Sequence, residues 1–257
     1  MALGNEEAGG RMRMLTLLLL LMAAGAMGQE TFPVEHQRAF WWDKAGVLTV
    51  DGEGIRFVPE AKKPEDAKPV HLVWGEIQQA MLAEGRIEIV TYRDVVWQFG
   101  RDKQFRFALP EGASLPAGTT ASFAGLEEVL RRGLGDRLVV ALGAPDGARA
   151  EWEIPAKRTG LVRGAEGVLS FTGEELIFTS AKREASRRWP LRTIDTVSQT
   201  GPYDFTVTAA ERALSDMGGR RSFSFQLKQP LDGARYRALW RAVERAHGTV
   251  LRFSDSQ

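Results

Sequence analysis

The chain has 257 residues, with 34 lysines and arginines against 33 aspartates and glutamates, and it contains no cysteine. The missing cysteine excludes disulfides and any lipid-modified cysteine. An apolar content of 44%, with seven tryptophans and 13 phenylalanines, is ordinary for a globular chain, and no low-complexity or disordered tail has to be accommodated.

At the N-terminus, Arg11 and Arg13 precede an apolar run that starts at Met14. The small residues of Ala23-Ala-Gly-Ala-Met-Gly28 follow, with Ala26 and Gly28 where a signal peptidase reads. Residues 1–28 are therefore expected to be a cleaved signal peptide, and the mature chain to be periplasmic or extracellular. The apolar run is shorter than the ~20 residues a helix needs to span a bilayer. The acidic prelude Met1 to Gly10 is unusual ahead of such a run, so synthesis starting at Met1, Met12 or Met14 stays open.

Trp41 and Trp42 come next. Adjacent strand residues point to opposite faces, so at most one of the pair enters its own core. The other needs a second surface, either the junction between two parts of the chain or an exposed anchor for a partner protein or peptide.

Residues 46 to 58, Gly46-Val-Leu-Thr-Val-Asp-Gly-Glu-Gly-Ile-Arg-Phe-Val58, return as Gly167-Val-Leu-Ser-Phe-Thr-Gly-Glu-Glu-Leu-Ile-Phe-Thr179. Leu72, Trp74 and Ile77 match Trp189, Leu191 and Ile194 at an offset of 117, and Ile87, Ile89, Phe105, Phe107 and Leu109 match Phe205, Val207, Phe223, Phe225 and Leu227 at 118. A repeat of that length is the size of a domain, so the sequence reads as a duplication. The boundary is expected at Gly143–Ala148, giving units 29–147 and 148–257. Apolar residues at period two, such as Leu48 and Val50 or Phe105 and Phe107, predict half-buried strands. Asp51-Gly52-Glu53-Gly54 reads as a hairpin turn rather than a calcium loop, because two carboxylates fall short of the six to eight oxygens calcium takes. The Pro-rich insertion Pro59–Pro69 of the first copy predicts a surface loop.

Each copy ends in a helical pattern. Phe123, Leu126, Val129 and Leu130 form one apolar stripe; Tyr236, Leu239, Trp240 and Val243 form the other, capped by Asp232 and stopped by Gly248. Each helix has one apolar side with which to seal a sheet.

The Gly-x-Leu-x-apolar openings at Gly46 and Gly167 are joined by the Trp189-Pro-Leu191-x-x-Ile194 strand, the Phe-x-Phe-x-Leu strand and a terminal helix bearing Trp240. This combination resembles the pleckstrin-homology-like barrel, especially its GRAM and bacterial forms. The resemblance covers residues 29 to 250. It implies a mainly β fold of two tandem barrels, each closed by a C-terminal helix, and leaves function to be argued from a site. Relatives that hold inositol phosphates carry basic residues over the first hairpin. Here only Lys157, Arg158 and Arg163 precede it, and Val168–Thr172 carries none.

Charge divides unevenly. Residues 29–147 carry 14 basic against 18 acidic residues, a balance of −4, and residues 148–257 carry 18 against 13, a balance of +5. The halves can dock on one another, solvate separate faces, or present the second half to an anionic surface. The last option rests on Lys182, Arg183, Arg187 and Arg188 in a strand connection and on Arg220-Arg221 before a later strand, six cations that together suit anionic lipid. Nucleic acid is not expected, because the basic loops lack an aromatic stacking platform.

His36, His71 and His247 are isolated, so neither a zinc site nor a nucleophile with a histidine partner is predicted. The sequence points to an exported, non-catalytic binding or scaffolding protein without catalytic residue, metal or cofactor, whose partner is an extracytoplasmic protein or peptide. The alternative is a peripheral binder of anionic membranes acting through the second half.

Overall fold

A computed structural model describes residues 30–37, 43–61, 63, 67–95, 98–108, 123–160, 164–182, 184–212 and 219–248. The signal peptide, Trp41, Trp42 and Arg183 lie outside the described residues. The fold is mainly β, with fifteen strands and two α-helices among the described residues. The strands before the first helix are β1 (Glu30–Gln37), β2 (Lys44–Val50), β3 (Gly54–Pro59), β4 (Val70–Val73), β5 (Ile77–Ala83), β6 (Arg86–Val95) and β7 (Gln98–Ala108). Helix α1 (Phe123–Leu134) and strand β8 (Leu138–Ala141) follow. The remainder is β9 (Trp152–Arg158), β10 (Ala165–Phe171), β11 (Glu175–Thr179), β12 (Arg187–Pro190), β13 (Ile194–Gly201), β14 (Asp204–Ala209), β15 (Arg221–Leu227) and α2 (Gly233–Ala246).

Local chemistry explains the joints. The Asp51 carboxylate accepts the Glu53 and Gly54 amides at 2.8 and 3.2 Å, so this side chain serves the β2–β3 turn. Asp232 accepts the Ala234 and Arg235 amides, both at 2.9 Å, and caps α2. Gly248 adopts φ +76° just beyond the helix, a left-handed conformation glycine takes without steric cost. At Gly46 a Cβ would overlap the Val58 carbonyl and the Phe57 ring, and at Gly167 it would overlap the Thr179 carbonyl and the Phe178 ring. Two strand openings that share a sequence thus share one steric demand.

The strands form one sheet in the order β13-β14-β15-β9-β10-β11-β12-β8-β5-β6-β7-β1-β2-β3-β4. It is not closed, in contrast to the pair of closed barrels the sequence suggested. Short 3₁₀ turns at Trp74–Glu76 and Leu191–Thr193 interrupt the chain between β4 and β5 and between β12 and β13, and neither flanking pair is hydrogen-bonded. Strand β8 instead takes the free edge of β5 in parallel and meets β12 at the single bridge Arg188↔Val140.

Although the ladder is continuous, the core is divided. One buried cluster draws on Phe32 through Val140, including Leu126, Val129, Leu130 and Leu134; the other runs from Trp152 to Val243, with Tyr236 and Trp240 packed against it. Burying a Phe or Leu side chain contributes roughly 1.5–3 kcal/mol, so each cluster is the dominant stabilising term for its own strands. What lies between them is polar, and there the chain forms a cleft.

Candidate functional site: a cationic cleft between the two clusters

The cleft begins with the strand period. On β9 the inward positions Trp152, Ile154 and Ala156 continue to Arg158; on β15, Leu227, Phe225 and Phe223 lead back to Arg221. Trp189 on β12 is preceded at the same spacing by Arg187, and Phe205, Val207 and Ala209 on β14 are followed by Glu211. Ladder pairs Ala209↔Arg221, Phe225↔Arg158 and Phe178↔Arg187 bring these ends together. The inward face of four strands therefore changes from apolar to charged at one end of the second cluster.

Phe223 forms the floor of that charged layer. The guanidinium carbons of Arg221, Arg158 and Arg187 lie 5.1, 5.7 and 5.8 Å from its ring centroid, within cation–π range. Glu211, 3% exposed, is the carboxylate among them. Its oxygens take Arg187 Nε at 3.3 and 3.2 Å, Arg187 Nη2 at 3.2 Å and Arg221 Nη1 at 3.2 Å. Arg187 also donates through Nη1 to the Glu184 and Ser186 carbonyls at 2.9 and 2.8 Å, which fixes the group rigidly. Glu184 itself adopts φ 67°, a left-handed conformation uncommon for a residue with a side chain.

Arg158 differs from Arg187. It donates Nη1 to the Ala185 carbonyl at 2.7 Å, and among the described residues it has no carboxylate within ion-pair distance. Burial, followed by the like charges of Arg187 and Arg221, holds its pKa down to about 10, against a smaller opposing effect of Glu211.

The opposite wall is the outer face of β5–β7. Arg86 Nε and Arg106 Nε each lie 2.9 Å from Glu88 Oε1, and Arg86 Nη1 reaches across to Glu184 Oε1 at 2.7 Å. Gln79 and Arg212 close one side through a reciprocal pair: the Arg212 amide donates to Gln79 Oε1 at 2.8 Å, and Gln79 Nε2 donates to the Arg212 carbonyl at 3.2 Å. The cleft, open to solvent, has a volume of about 550 Å³ and is lined by seven cationic and three acidic side chains.

Of the six cations expected to form a lipid-facing surface, Lys182, Arg187 and Arg221 line this cleft. Arg187 and Arg188 are not outward-facing, being only 5% and 8% exposed. Their segment is a strand, and each guanidinium is ion-paired, Arg187 to Glu211 and Arg188 to Glu127 of α1. Groups so paired and buried do not present themselves at the surface, whereas Lys182, Arg220 and Arg221 are exposed. Arg220 stays exposed and pairs with Asp195 at 3.0 Å, apart from the cleft. Sequence reasoning named Arg158 only as a basic residue ahead of a hairpin, and missed Glu211, Arg212, Arg86 and Arg106. The signal for Arg158, Arg221 and Glu211 was the apolar alternation running on into a charge.

Known proteins add little. No protein-family model matches the sequence, and no curated protein does. Two solved structures are similar in part. The C-terminal domain of an unknown protein from Leishmania infantum has 14% identity and a TM-score of 0.30, over 46% of this chain and 97% of that one. The Spt16D Pob3N heterodimer has 12% identity and a TM-score of 0.30, over 77% and 97%. Likeness at that level carries no functional argument.

Proposed function

We propose that this chain is an exported, non-catalytic binding protein of two pleckstrin-homology-like halves, and that its ligand is acidic and enters the cleft between them. The observation that carries this reading is the imbalance on the second cluster's floor, where three arginines meet one buried carboxylate. Among the described residues Arg158 has no carboxylate in ion-pair distance; a cation so held in a partly desolvated cleft is costly, and an acidic ligand removes that cost. Support for the two halves comes from the two separate apolar clusters, each with one helix packed into it. Support for export rests on Arg11, Arg13 and the apolar run that follows.

The test is retrieval. The full chain and an Arg158→Glu/Arg221→Glu variant, purified gently from the native envelope, should differ in their bound acidic compounds by mass spectrometry, with the wild type enriched. A wild type carrying no acidic ligand, or a variant carrying the same one, would sink the reading.

A further inference from the structure

The free donors in the cleft narrow the ligand's chemistry. Arg187 is used up: its nitrogens serve Glu211, the Glu184 and Ser186 carbonyls and the Met81 sulfur. Arg158 and Arg221 are not. Among the described residues, Arg158 gives one hydrogen bond, to Ala185, and Arg221 one, to Glu211. A guanidinium has five N–H donors, so most of the donor capacity of both groups remains unspent around the same phenyl ring.

Charge sets the kind of ligand. Among the described residues, Arg158, Arg187 and Arg221 against Glu211 leave two positive charges over Phe223, and Lys182 adds a further cation to the lining, so a multiply charged anion such as a dianion is favoured. Guanidinium forks match phosphoryl oxygens with paired, charge-assisted hydrogen bonds. A volume of about 550 Å³ lies in the range of small-molecule sites, well above what a bare ion needs, and Met81, Val90 and Ala185 supply apolar lining.

Resting on the reading of this cleft as the binding site, we propose that it takes a small phosphate monoester, whose dianionic phosphoryl group is held by Arg158 and Arg221 in front of the fixed Arg187–Glu211 pair. The organic part lies toward Met81 and the β5–β6 face. The site uses the end of the second cluster and the outer wall of the first, away from the β10–β11 hairpin.

Calorimetric titration of the full chain at constant ionic strength tests this with phenyl phosphate, inorganic phosphate and succinate as probes. Phenyl phosphate should bind saturably and several-fold tighter than inorganic phosphate. Arg158→Gln and Arg221→Gln should each weaken it about tenfold or more, the scale of a lost charge-assisted hydrogen bond. Arg220→Gln, outside the cleft, should leave it unchanged. Arg221 is partly exposed, so its variant remains informative if Arg158→Gln folds poorly. Saturable succinate binding without phosphate binding would overturn the phosphoryl assignment and leave the acidic-ligand reading standing. Absence of saturable binding by all three probes would overturn both. Phosphate binding unchanged in both cleft variants would overturn this location.

Discussion

The two walls of the cleft are built from the same side chains, arginine and glutamate, yet they balance differently. On the β5–β7 wall, Arg86 and Arg106 share Glu88, and Arg86 reaches across to Glu184 between β11 and β12, so each arginine has a carboxylate partner. On the floor of the second cluster, Arg158, Arg187 and Arg221 meet, among the described residues, Glu211 alone. A set in which every cation has a carboxylate partner serves to join two parts of a chain, here with Arg86 Nε and Glu88 Oε2 left without a hydrogen bond. An unbalanced one held over an aromatic ring, with its central pair locked by backbone carbonyls, is arranged for a charge that comes from outside. The difference separates a structural network from a site when the inventory of residue types cannot.

The comparison is broken most severely at Glu211. Glu211→Gln removes the one carboxylate that the described residues place on the floor and leaves the buried Arg187 without its ion-pair partner; loss of one partner of a buried pair costs about 3–5 kcal/mol. Urea unfolding of the variant should show that loss, largest in buffers free of phosphate. On the other wall, Glu88→Gln should cost less, about 1–3 kcal/mol, the scale of leaving a buried donor partly unsatisfied. Arg86 keeps Glu184, and the exposed Arg106 returns to water. If the two substitutions cost the same, the walls do not differ in the way their charges indicate.

Much of the fold was legible in the sequence. Gly46 and Gly167 stand where aromatic rings press on the backbone, Asp232 caps its helix, and the period-two stretches are strands. The continuous sheet was not legible, because the partners of β8 are chosen by tertiary packing, and the run Leu138–Ala141 does not encode them. Arg187 and Arg188 read as a solvated loop for a related reason. A hydrophobic period identifies a strand by its apolar positions, and β12 is a four-residue strand with arginines at two of them. Arg158, Arg221 and Glu211 did leave a trace. Each extends an apolar alternation by one step, but only the ladder register reveals that three such ends, with Arg187, converge over Phe223.

The smallest and most discriminating effect is expected at Arg158. Without ligand, Arg158→Gln gives up the hydrogen bond to Ala185, worth about 1 kcal/mol, and is relieved of repulsion from Arg187 and Arg221, so its net cost should be near zero. The pH dependence has a definite sign. Burial and like charge hold the folded-state pKa at about 10, below the unfolded value, so between the two the unfolded chain binds more protons. Stability then rises with pH in that window, since the unfavourable charged form is shed first by the folded state. Wild type should therefore gain on Arg158→Gln as pH rises through about 10, read as the difference between their urea midpoints in phosphate-free buffer. Saturating phenyl phosphate should abolish the gain, because a dianion beside Arg158 favours its charged form and lifts its pKa toward the unfolded value. A difference that is flat across that range, or that ignores the ligand, would show that Arg158 already has a counter-ion and that the floor is balanced like the wall.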